Sequence, residues 1–216
     1  TNVAAGTGLT VDGATGQIVS YVLKDATSTT SDAMTLTIGN AASKNVAAGT
    51  VDVTGVELVT INSVGVAGTN TNTVTVTDAN ALALNVTGNV ALTVTGLASS
   101  TIKTVDLSAA TKMVDVTGIT VAATGATFIA GAGGSKIAGG AGVDTITGGV
   151  GADTINGNGG ADVIVGGGGA DKITGGTGAD KITLSGSTST LVFTAGHSGT
   201  NSSTTFQTAE LTTTLD

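Results

Sequence analysis

Five aspartates recur every nine residues within residues 139–183, at Asp144, Asp153, Asp162, Asp171 and Asp180. Each occupies position six of a nonapeptide, and the successive copies read GGAGVDTIT, GGVGADTIN, GNGGADVIV, GGGGADKIT and GGTGADKIT. Glycine fills positions one and four and, apart from Asn158, position two, and isoleucine always fills position eight. Carboxylates supply hard anionic oxygen, glycines permit positive-φ turns, and the isoleucine favours a core. The pattern therefore predicts a row of oxygen sites for a hard cation.

Two nonapeptides are expected to form one coil of 18 residues, so that alternate aspartates stack. Asp144, Asp162 and Asp180 would form one column, and Asp153 and Asp171 the other. Stacked coils lie about 4.8 Å apart, where two carboxylates repel by about 3 kcal/mol at an effective dielectric constant of 20. Calcium, which accepts oxygen ligands in flexible geometry, would turn this repulsion into ligation.

Other metals suit the pattern less well. The chain has no cysteine and one histidine, which disfavours zinc and copper. Magnesium demands stricter octahedral geometry than calcium does. A flexible glycine-rich linker is the non-metal alternative, but a linker has no reason to keep isoleucine in register with aspartate.

A degenerate sixth copy, AGAGGSKIA at residues 130–138, precedes the five repeats. It carries Ser135 where the aspartate would stand. Because a hydroxyl is a weaker calcium ligand than a carboxylate, any site shared by Ser135 and Asp153 is expected to be weak or empty.

The block resembles the RTX (repeats-in-toxin) family, whose nonapeptides follow the pattern G-G-x-G-x-D-x-U-x. The resemblance implies a parallel β-roll with several calcium ions held between its turns. It also implies that main-chain carbonyls at positions two and four join the aspartates as ligands. In this sequence those carbonyls belong to Gly140, Gly142, Gly149, Gly151, Asn158, Gly160, Gly167, Gly169, Gly176 and Gly178.

Upstream of the repeats, Val, Thr, Ile and Leu alternate in short runs that predict half-buried strands. Gly, Asn, Asp and Ala separate these runs. The runs lie at residues 34–39, 50–61, 72–78, 82–88, 91–97, 102–108 and 113–121. We expect an all-β fold in which an irregular β-solenoid stacks directly onto the β-roll, with a β-sandwich as the alternative for the upstream strands.

Four segments are expected along the chain. Residues 1–33 are irregular with one strand near 17–23, and residues 34–129 form the solenoid or sandwich. Residues 130–183 form the β-roll. Residues 184–216 are rich in Ser and Thr and are similar in position and composition to the C-terminal type I secretion signal of the RTX family.

Individual residues outside the repeats have simpler interpretations. Phe128 and Phe193 flank the roll and are interpreted as plugs over the ends of its thin core. His197 is interpreted as a solvated loop residue, since no partner for catalysis is evident. Four aspartates at strand edges are expected to cap turns, with further calcium ligation as the alternative: Asp52, Asp78, Asp106 and Asp115.

Composition and missing motifs argue against several functions. The net charge is −8 and aromatic residues make up 2% of the chain, which disfavours nucleic-acid binding. No apolar run approaches the length of a membrane span. No H-E-x-x-H or G-x-S-x-G motif occurs, so we expect no enzymatic activity. The opening TNVAAGTGLT lacks signal-peptide order and an initiator Met, so the sequence is expected to be a fragment.

The composition rich in Val, Thr, Ala and Gly and the repeat block together resemble the calcium-dependent RTX S-layer proteins of Gram-negative bacteria. This resemblance implies type I secretion, a location on the cell surface and self-assembly into a two-dimensional lattice. It also implies contact with a cell-surface polysaccharide through another region. Three alternatives stay open: a calcium-binding secretion module of an RTX protease or lipase, part of an RTX adhesin, and an ice-binding ladder of T-x-T rows, which the irregular spacing disfavours.

Overall fold

The computed structural model describes residues 2–3, 8–12, 19–20, 22–23, 32–39, 45–53, 55–66, 68, 70–78, 80–99, 101–185, 188–192 and 205–206. Within these residues every regular element is a β-strand. The described residues accordingly include no helix long and apolar enough to cross a membrane. Phe193 and His197 lie outside the described residues, as does nearly all of the segment 193–216, so the interpretations made for them stay predictions.

The described strands are short, and most of them have three to seven residues because each crosses only one face of the molecule. In chain order they are β1 Asn2–Val3, β2 Gly8–Val11, β3 Val19–Ser20, β4 Val22–Leu23, β5 Ala33–Ile38, β6 Ala47–Asp52, β7 Leu58–Ser63, β8 Thr71–Thr77, β9 Ala83–Gly88, β10 Ala91–Ala98, β11 Thr104–Ala110, β12 Val114–Asp115, β13 Ile119–Thr120, β14 Thr127–Ile129, β15 Ser135–Ala138, β16 Thr145–Thr147, β17 Thr154–Asn156, β18 Val163–Val165, β19 Lys172–Thr174, β20 Lys181–Leu184, β21 Thr190–Val192 and β22 Thr205–Phe206.

Two long parallel sheets contain almost all of these strands. Sheet I has the order β2-β5-β7-β9-β11-β14-β16-β18-β20-β22. Sheet II has the order β3-β6-β8-β10-β12-β15-β17-β19-β21, and β13 also pairs with β10. From β5 onward the chain crosses repeatedly from one sheet to the other, and the strands of each sheet pair in parallel. This is a β-solenoid, whereas a β-sandwich would have antiparallel sheets.

One ladder of apolar side chains runs through sheet I from the upstream coils into the repeats. It joins residues paired in register across β5, β7, β9, β11, β14, β16, β18 and β20. Each of these side chains is at most 5% exposed. They are Met34, Val59, Leu84, Val105, Phe128, Ile146, Ile164 and Ile182. The solenoid and the roll therefore share one core, as the stacking prediction required.

Phe128 lies inside this ladder and does not plug its end. It pairs with Val105 on one side and Ile146 on the other, and its side chain is fully buried. The plug interpretation of Phe128 is wrong because the upstream coils continue the core beyond it.

Two predicted strands are each divided in the structure. The run 50–61 contains the end of β6 in sheet II and the start of β7 in sheet I. A corner at Gly55, with a φ of 86°, separates them. The run 113–121 divides into β12 and β13, which both lie beside β10. Apolar alternation alone does not reveal a corner between two buried segments.

Candidate metal centre

Each repeat divides into a turn and a strand. Positions one to six form the turn, and the three residues after each aspartate begin a strand: β16, β17, β18, β19 or β20. The isoleucine at position eight is buried in every repeat, while its two neighbours face outward or lie half-buried. This alternation orients the strand, and the strand places the aspartate at the edge of the core.

The aspartates stack in the two predicted columns. The Asp144 amide donates to Asp162 Oδ1 over 2.8 Å, and the Asp162 amide donates to Asp180 Oδ1 over 3.0 Å. In the second column the Asp153 amide donates to Asp171 Oδ1 over 3.0 Å. Each of these bonds spans 18 residues, which is the expected length of one coil. The column arrangement is confirmed.

Amides of the same turn also hold the carboxylates. The Gly140 amide donates to Asp144 Oδ2 over 2.7 Å, and the Gly149 amide donates to Asp153 Oδ2 over 3.0 Å. Position two therefore contributes its amide to the aspartate as well as the carbonyl predicted for calcium. The turn and the carboxylate form one hydrogen-bonded unit.

Glycine at position one is required by close contact and not by a positive φ, which corrects the sequence expectation. None of the five position-one glycines has a positive φ. A Cβ added at Gly157 would overlap Asp162 Oδ2 and the carbonyl oxygen of Gly175. A Cβ at Gly139 would likewise overlap Asp144 Oδ2. The carboxylate thus occupies the space that a side chain would fill.

Positive φ values occur at positions two and four, and only in the last three repeats. Asn158 has a φ of 70°, a conformation that asparagine tolerates better than most residues. Gly160, Gly167, Gly169, Gly176 and Gly178 also have positive φ, whereas Gly140, Gly142, Gly149 and Gly151 do not. The first two turns therefore have a different backbone from the last three.

Position-two carbonyls also join neighbouring coils. The carbonyls of Gly140, Gly149 and Asn158 accept hydrogen bonds from the amides of Gly159, Gly168 and Thr177, respectively. Because a carbonyl oxygen has two lone pairs, the carbonyls of Gly140 and Gly149 each retain one for another partner. The Asn158 carbonyl also accepts a hydrogen bond from the Thr177 hydroxyl over 3.4 Å. The predicted role of the position-two and position-four carbonyls as calcium ligands stays a prediction.

The aspartates are buried without neutralising partners. The five side chains are between 0% and 7% exposed. Burial, with smaller contributions from the charges of Asp144 and Asp180, raises the pKa of Asp162 to about 7. Burial, with a smaller contribution from the charge of Asp171, raises the pKa of Asp153 to about 6. Lys136 forms an ion pair with Asp115 and not with one of these five aspartates.

Two buried oxygens in the columns lack hydrogen-bond partners. They are Asp162 Oδ2 and the hydroxyl oxygen of Ser135. Buried acceptors of this kind are costly unless a partner satisfies them. The described residues contain no group of three or more His, Cys, Asp or Glu side chains that could hold one metal ion together. A cation between two stacked aspartates would thus complete its shell from main-chain carbonyls, which calcium accepts readily.

The family model for the RTX calcium-binding nonapeptide repeat matches residues 125–155 and 156–187. This segment belongs to the RTX repeat family. RTX repeats bind calcium, so the matched segment is the calcium-binding part of the chain. The role of the stacked aspartates as the ligands stays a prediction. Neither a curated protein nor a solved structure matches the chain.

The RTX roll continues past the last aspartate, and this extension was missed. Ser189 accepts a hydrogen bond from the Asp171 amide over 3.1 Å and donates to Asp171 Oδ2 over 3.3 Å. It is followed by β21, which pairs with β19. At the other end, the Ala126 amide donates to Asp144 Oδ1 over 2.6 Å. Counting 18 residues outward from each column would have found both positions.

Aspartates outside the RTX repeats cap turns, as expected. Asp78 accepts hydrogen bonds from the amides of Val56 and Asn80. Asp106 accepts one from the Ser108 amide, and Asp115 accepts one from the Thr117 amide. Asp52 is the last residue of strand β6, and its turn-capping role stays a prediction. The geometry therefore favours the turn-capping interpretation over further calcium ligation.

The raised pKa values predict how the calcium-free roll responds to pH. In the folded chain the pKa values of Asp162 and Asp153 lie above the ordinary aspartate value of 3.8, so these carboxylates bind protons more tightly than in the unfolded chain. Folding is therefore linked to proton uptake. Stability should therefore be lowest above pH 7, rise as the pH falls through the folded pKa values, and gain nothing more below the unfolded pKa. We expect a higher melting temperature at pH 5 than at pH 8 in metal-depleted protein.

Asp162→Asn is the control for this pH prediction. The amide oxygen can still accept the Asp144 hydrogen bond, but the buried charge is gone. The variant should be more stable than the wild type at pH 8 without calcium, and its melting temperature should depend less on pH. A melting temperature that falls between pH 8 and pH 5 in the metal-free wild type would contradict the prediction.

Proposed function

We propose that this protein is a structural, non-enzymatic surface-layer protein that is secreted by a type I system and assembles on the cell surface once calcium is bound. The observation that carries the proposal is the unbroken core ladder from Met34 to Ile182. It makes the calcium roll a continuation of the upstream solenoid instead of a separate module joined by a linker. A rod with two long sheets offers extended faces for contact with neighbouring copies.

The outer face of sheet I in the upstream coils supports contact between copies. Thr35, Thr60 and Asn85 align across β5, β7 and β9, and Thr37, Asn62 and Thr87 form a parallel row. These pairings have no register shift, so the face is regular over three coils. The two rows are polar and uncharged, and the row of Ala33, Leu58 and Ala83 on the same face is apolar. Neighbouring copies could approach this face without separating ion pairs from water, which suits a lattice contact.

The Asp columns supply a switch for secretion and assembly. Where calcium is scarce, the stacked carboxylates oppose folding, and an unfolded chain suits passage through a secretion channel. Calcium supplies charge neutralisation and ligation between the coils, and its binding free energy becomes folding free energy. Extracellular millimolar calcium matches the weak affinities typical of sites outside the cell. The folded roll then extends the rod that neighbouring copies contact.

Electron microscopy of the purified chain with millimolar calcium and with EGTA tests the assembly role. We expect ordered two-dimensional sheets with calcium and dispersed particles without it. Asp162→Asn should weaken sheet formation, whereas Asp106→Asn, which alters a turn outside the columns, should leave it intact. Dispersed monomers at all calcium concentrations would contradict the lattice proposal and favour a secretion module of an RTX protease, lipase or adhesin.

A further inference from the structure

The third repeat contains two asparagines that are each followed by a glycine. The sequence is Asn156-Gly157-Asn158-Gly159, and no other asparagine of the chain precedes a glycine. Both asparagine side chains are exposed to water. Asparagine is a thermolabile residue, and it deamidates fastest before glycine, because glycine has no side chain to hinder the approach of its own nitrogen. This stretch is therefore the part of the sequence most open to spontaneous deamidation.

Deamidation uses the amide nitrogen of the following glycine as its nucleophile. That nitrogen attacks the asparagine Cγ, so that an N–Cγ bond forms and the Cγ–Nδ2 bond breaks. The glycine proton passes through solvent to the departing nitrogen, which leaves as ammonia. Water then opens the resulting succinimide at either carbonyl and gives aspartate or isoaspartate. Water is the only co-reactant, so the local conformation of the chain sets the rate.

In the folded roll both attacking nitrogens donate hydrogen bonds to neighbouring coils. The buried Gly157 amide donates to the Thr174 carbonyl of the following coil over 2.9 Å. The Gly159 amide donates to the Gly140 carbonyl of the preceding coil over 3.1 Å. Ring closure therefore requires each nitrogen to give up its hydrogen bond and the backbone to rotate out of the stack.

The asparagine side chains are held in the same turn. Asn158 Nδ2 donates to the Gly139 carbonyl over 2.5 Å, and Asn156 Oδ1 accepts from the Asn158 amide over 3.1 Å. Exposure to water alone therefore does not make these asparagines reactive in the folded roll. The turn must open first, and opening it separates adjacent coils.

We propose that residues 156–159 are a deamidation site that the folded roll protects and that reacts when the roll is unfolded in the absence of calcium. The proposal rests on the calcium-dependent folding given above as part of the proposed function. It assigns a chemical limit to the time that the roll can stay unfolded and still fold when calcium is supplied.

The limit arises because isoaspartate adds a backbone carbon to a turn that is bonded to its neighbours. The Asn158 carbonyl accepts from the Thr177 amide over 2.7 Å, and the Gly160 amide donates to the Thr177 carbonyl over 2.9 Å. An extra backbone atom at residue 156 or 158 shifts these groups out of register with the next coil. The damage falls on the middle repeat, which has repeats stacked on both sides.

Peptide mapping by mass spectrometry tests protection in the full chain at pH 8, with calcium in one sample and EGTA in the other. Deamidation at Asn156 and Asn158 should be roughly ten-fold or more slower in calcium, because only the open fraction of the protein reacts. Samples from EGTA then receive excess calcium. The circular dichroism signal that returns should decline as isoaspartate accumulates.

The matched control carries Asn156→Thr together with Asn158→Gly. These residues occur at the equivalent positions of other repeats, since position nine is Thr in three of them and position two is Gly in all of them. The control variant has no Asn-Gly sequence. It should recover its full circular dichroism signal after the same incubation in EGTA.

Equal deamidation rates in calcium and EGTA, with the roll folded in one and unfolded in the other, would overturn the proposal. Full refolding of extensively deamidated wild type would overturn the limit on the unfolded time. Should EGTA leave the roll folded, calcium-dependent folding fails, which is a different result. Urea then replaces EGTA, and the comparison of folded with unfolded chain still decides whether the fold protects the site. If the control variant does not fold, the two wild-type rates decide.

Discussion

Removal of calcium should unfold residues 139–183 and leave much of the upstream solenoid folded. Three pairs of aspartates stack in adjacent coils, and each pair repels by about 3 kcal/mol at an effective dielectric constant of 20. Together these repulsions are comparable with the total stability of a typical domain, about 5–15 kcal/mol. No Lys lies in an ion pair with these carboxylates in the described residues. Above pH 7, the repulsion is opposed by the narrow isoleucine core and by the amide hydrogen bonds to the carboxylates.

The upstream coils should survive because they have a wider core and no Asp column. Strands β7, β9 and β11 each bury two or more aliphatic side chains, whereas each of the repeat strands β16 to β19 buries one. A fully buried Leu, Ile or Val contributes about 1.5–3 kcal/mol. Chelation is therefore expected to unfold only part of the chain. The boundary between the unfolded roll and the folded upstream coils should lie near Phe128.

Hydrogen exchange read by mass spectrometry resolves this boundary. In EGTA at pH 8, amides of residues 139–183 should lose protection, whereas those of residues 58–110 should stay protected. The circular dichroism signal should fall in part and recover on adding excess calcium, but not on adding the same concentration of magnesium. An unchanged spectrum in EGTA would sink the idea that calcium folds the roll.

Replacing Asp162 by Ala should weaken calcium binding more than replacing Asp180 by Ala. Asp162 takes part in two stacked pairs, because it accepts from the Asp144 amide and donates to Asp180. Asp180 takes part in one such pair among the described residues. Each hydrogen bond to a charged group contributes about 1.5–3 kcal/mol. Asp162→Ala should therefore remove two sites and lower the melting temperature in calcium further than Asp180→Ala, which removes one.

The comparison needs one variant that alters an aspartate outside the columns and one that alters the second column. Asp106→Ala removes a turn-capping carboxylate of sheet I and should leave the number of bound ions unchanged. Asp153→Ala tests the second column, where it should remove the site shared with Asp171. Equal calcium affinity in Asp162→Ala and Asp180→Ala would count against the stacked columns as the calcium sites.

The local features of the repeats follow from the sequence because they depend on short spacings. A nine-residue period with isoleucine two places after each aspartate dictates a turn, a strand and an inward side chain. Doubling the period places Asp144 beside Asp162, and the hydrogen bonds bear this out. The alternation of Val and Thr likewise predicts the half-buried strands, such as β8 with its alternating burial.

The sequence did not show where coils turn or where columns end, because both depend on contacts between distant residues. The upstream coils vary in length, so only the pairing of β5, β7, β9 and β11 shows which residues share a ladder. Phe128 could be placed in the middle of the core only when Val105 was seen beneath it. Position-one glycines are needed because the aspartate carboxylate of the same repeat lies where their side chain would be. Backbone propensities do not predict such a contact.

By itself, then, the repeat period determined the β-roll, the identity of the acidic column residues and the suitability of the columns for calcium. The tertiary structure decided that the roll shares its core with the solenoid, that Ser189 continues one column, and that the Ser135 hydroxyl is left unpaired. The physical reason is that the nine-residue repeat tells which residues are neighbours in adjacent coils only within the repeated segment. At its ends the neighbours are set by packing against coils of other lengths.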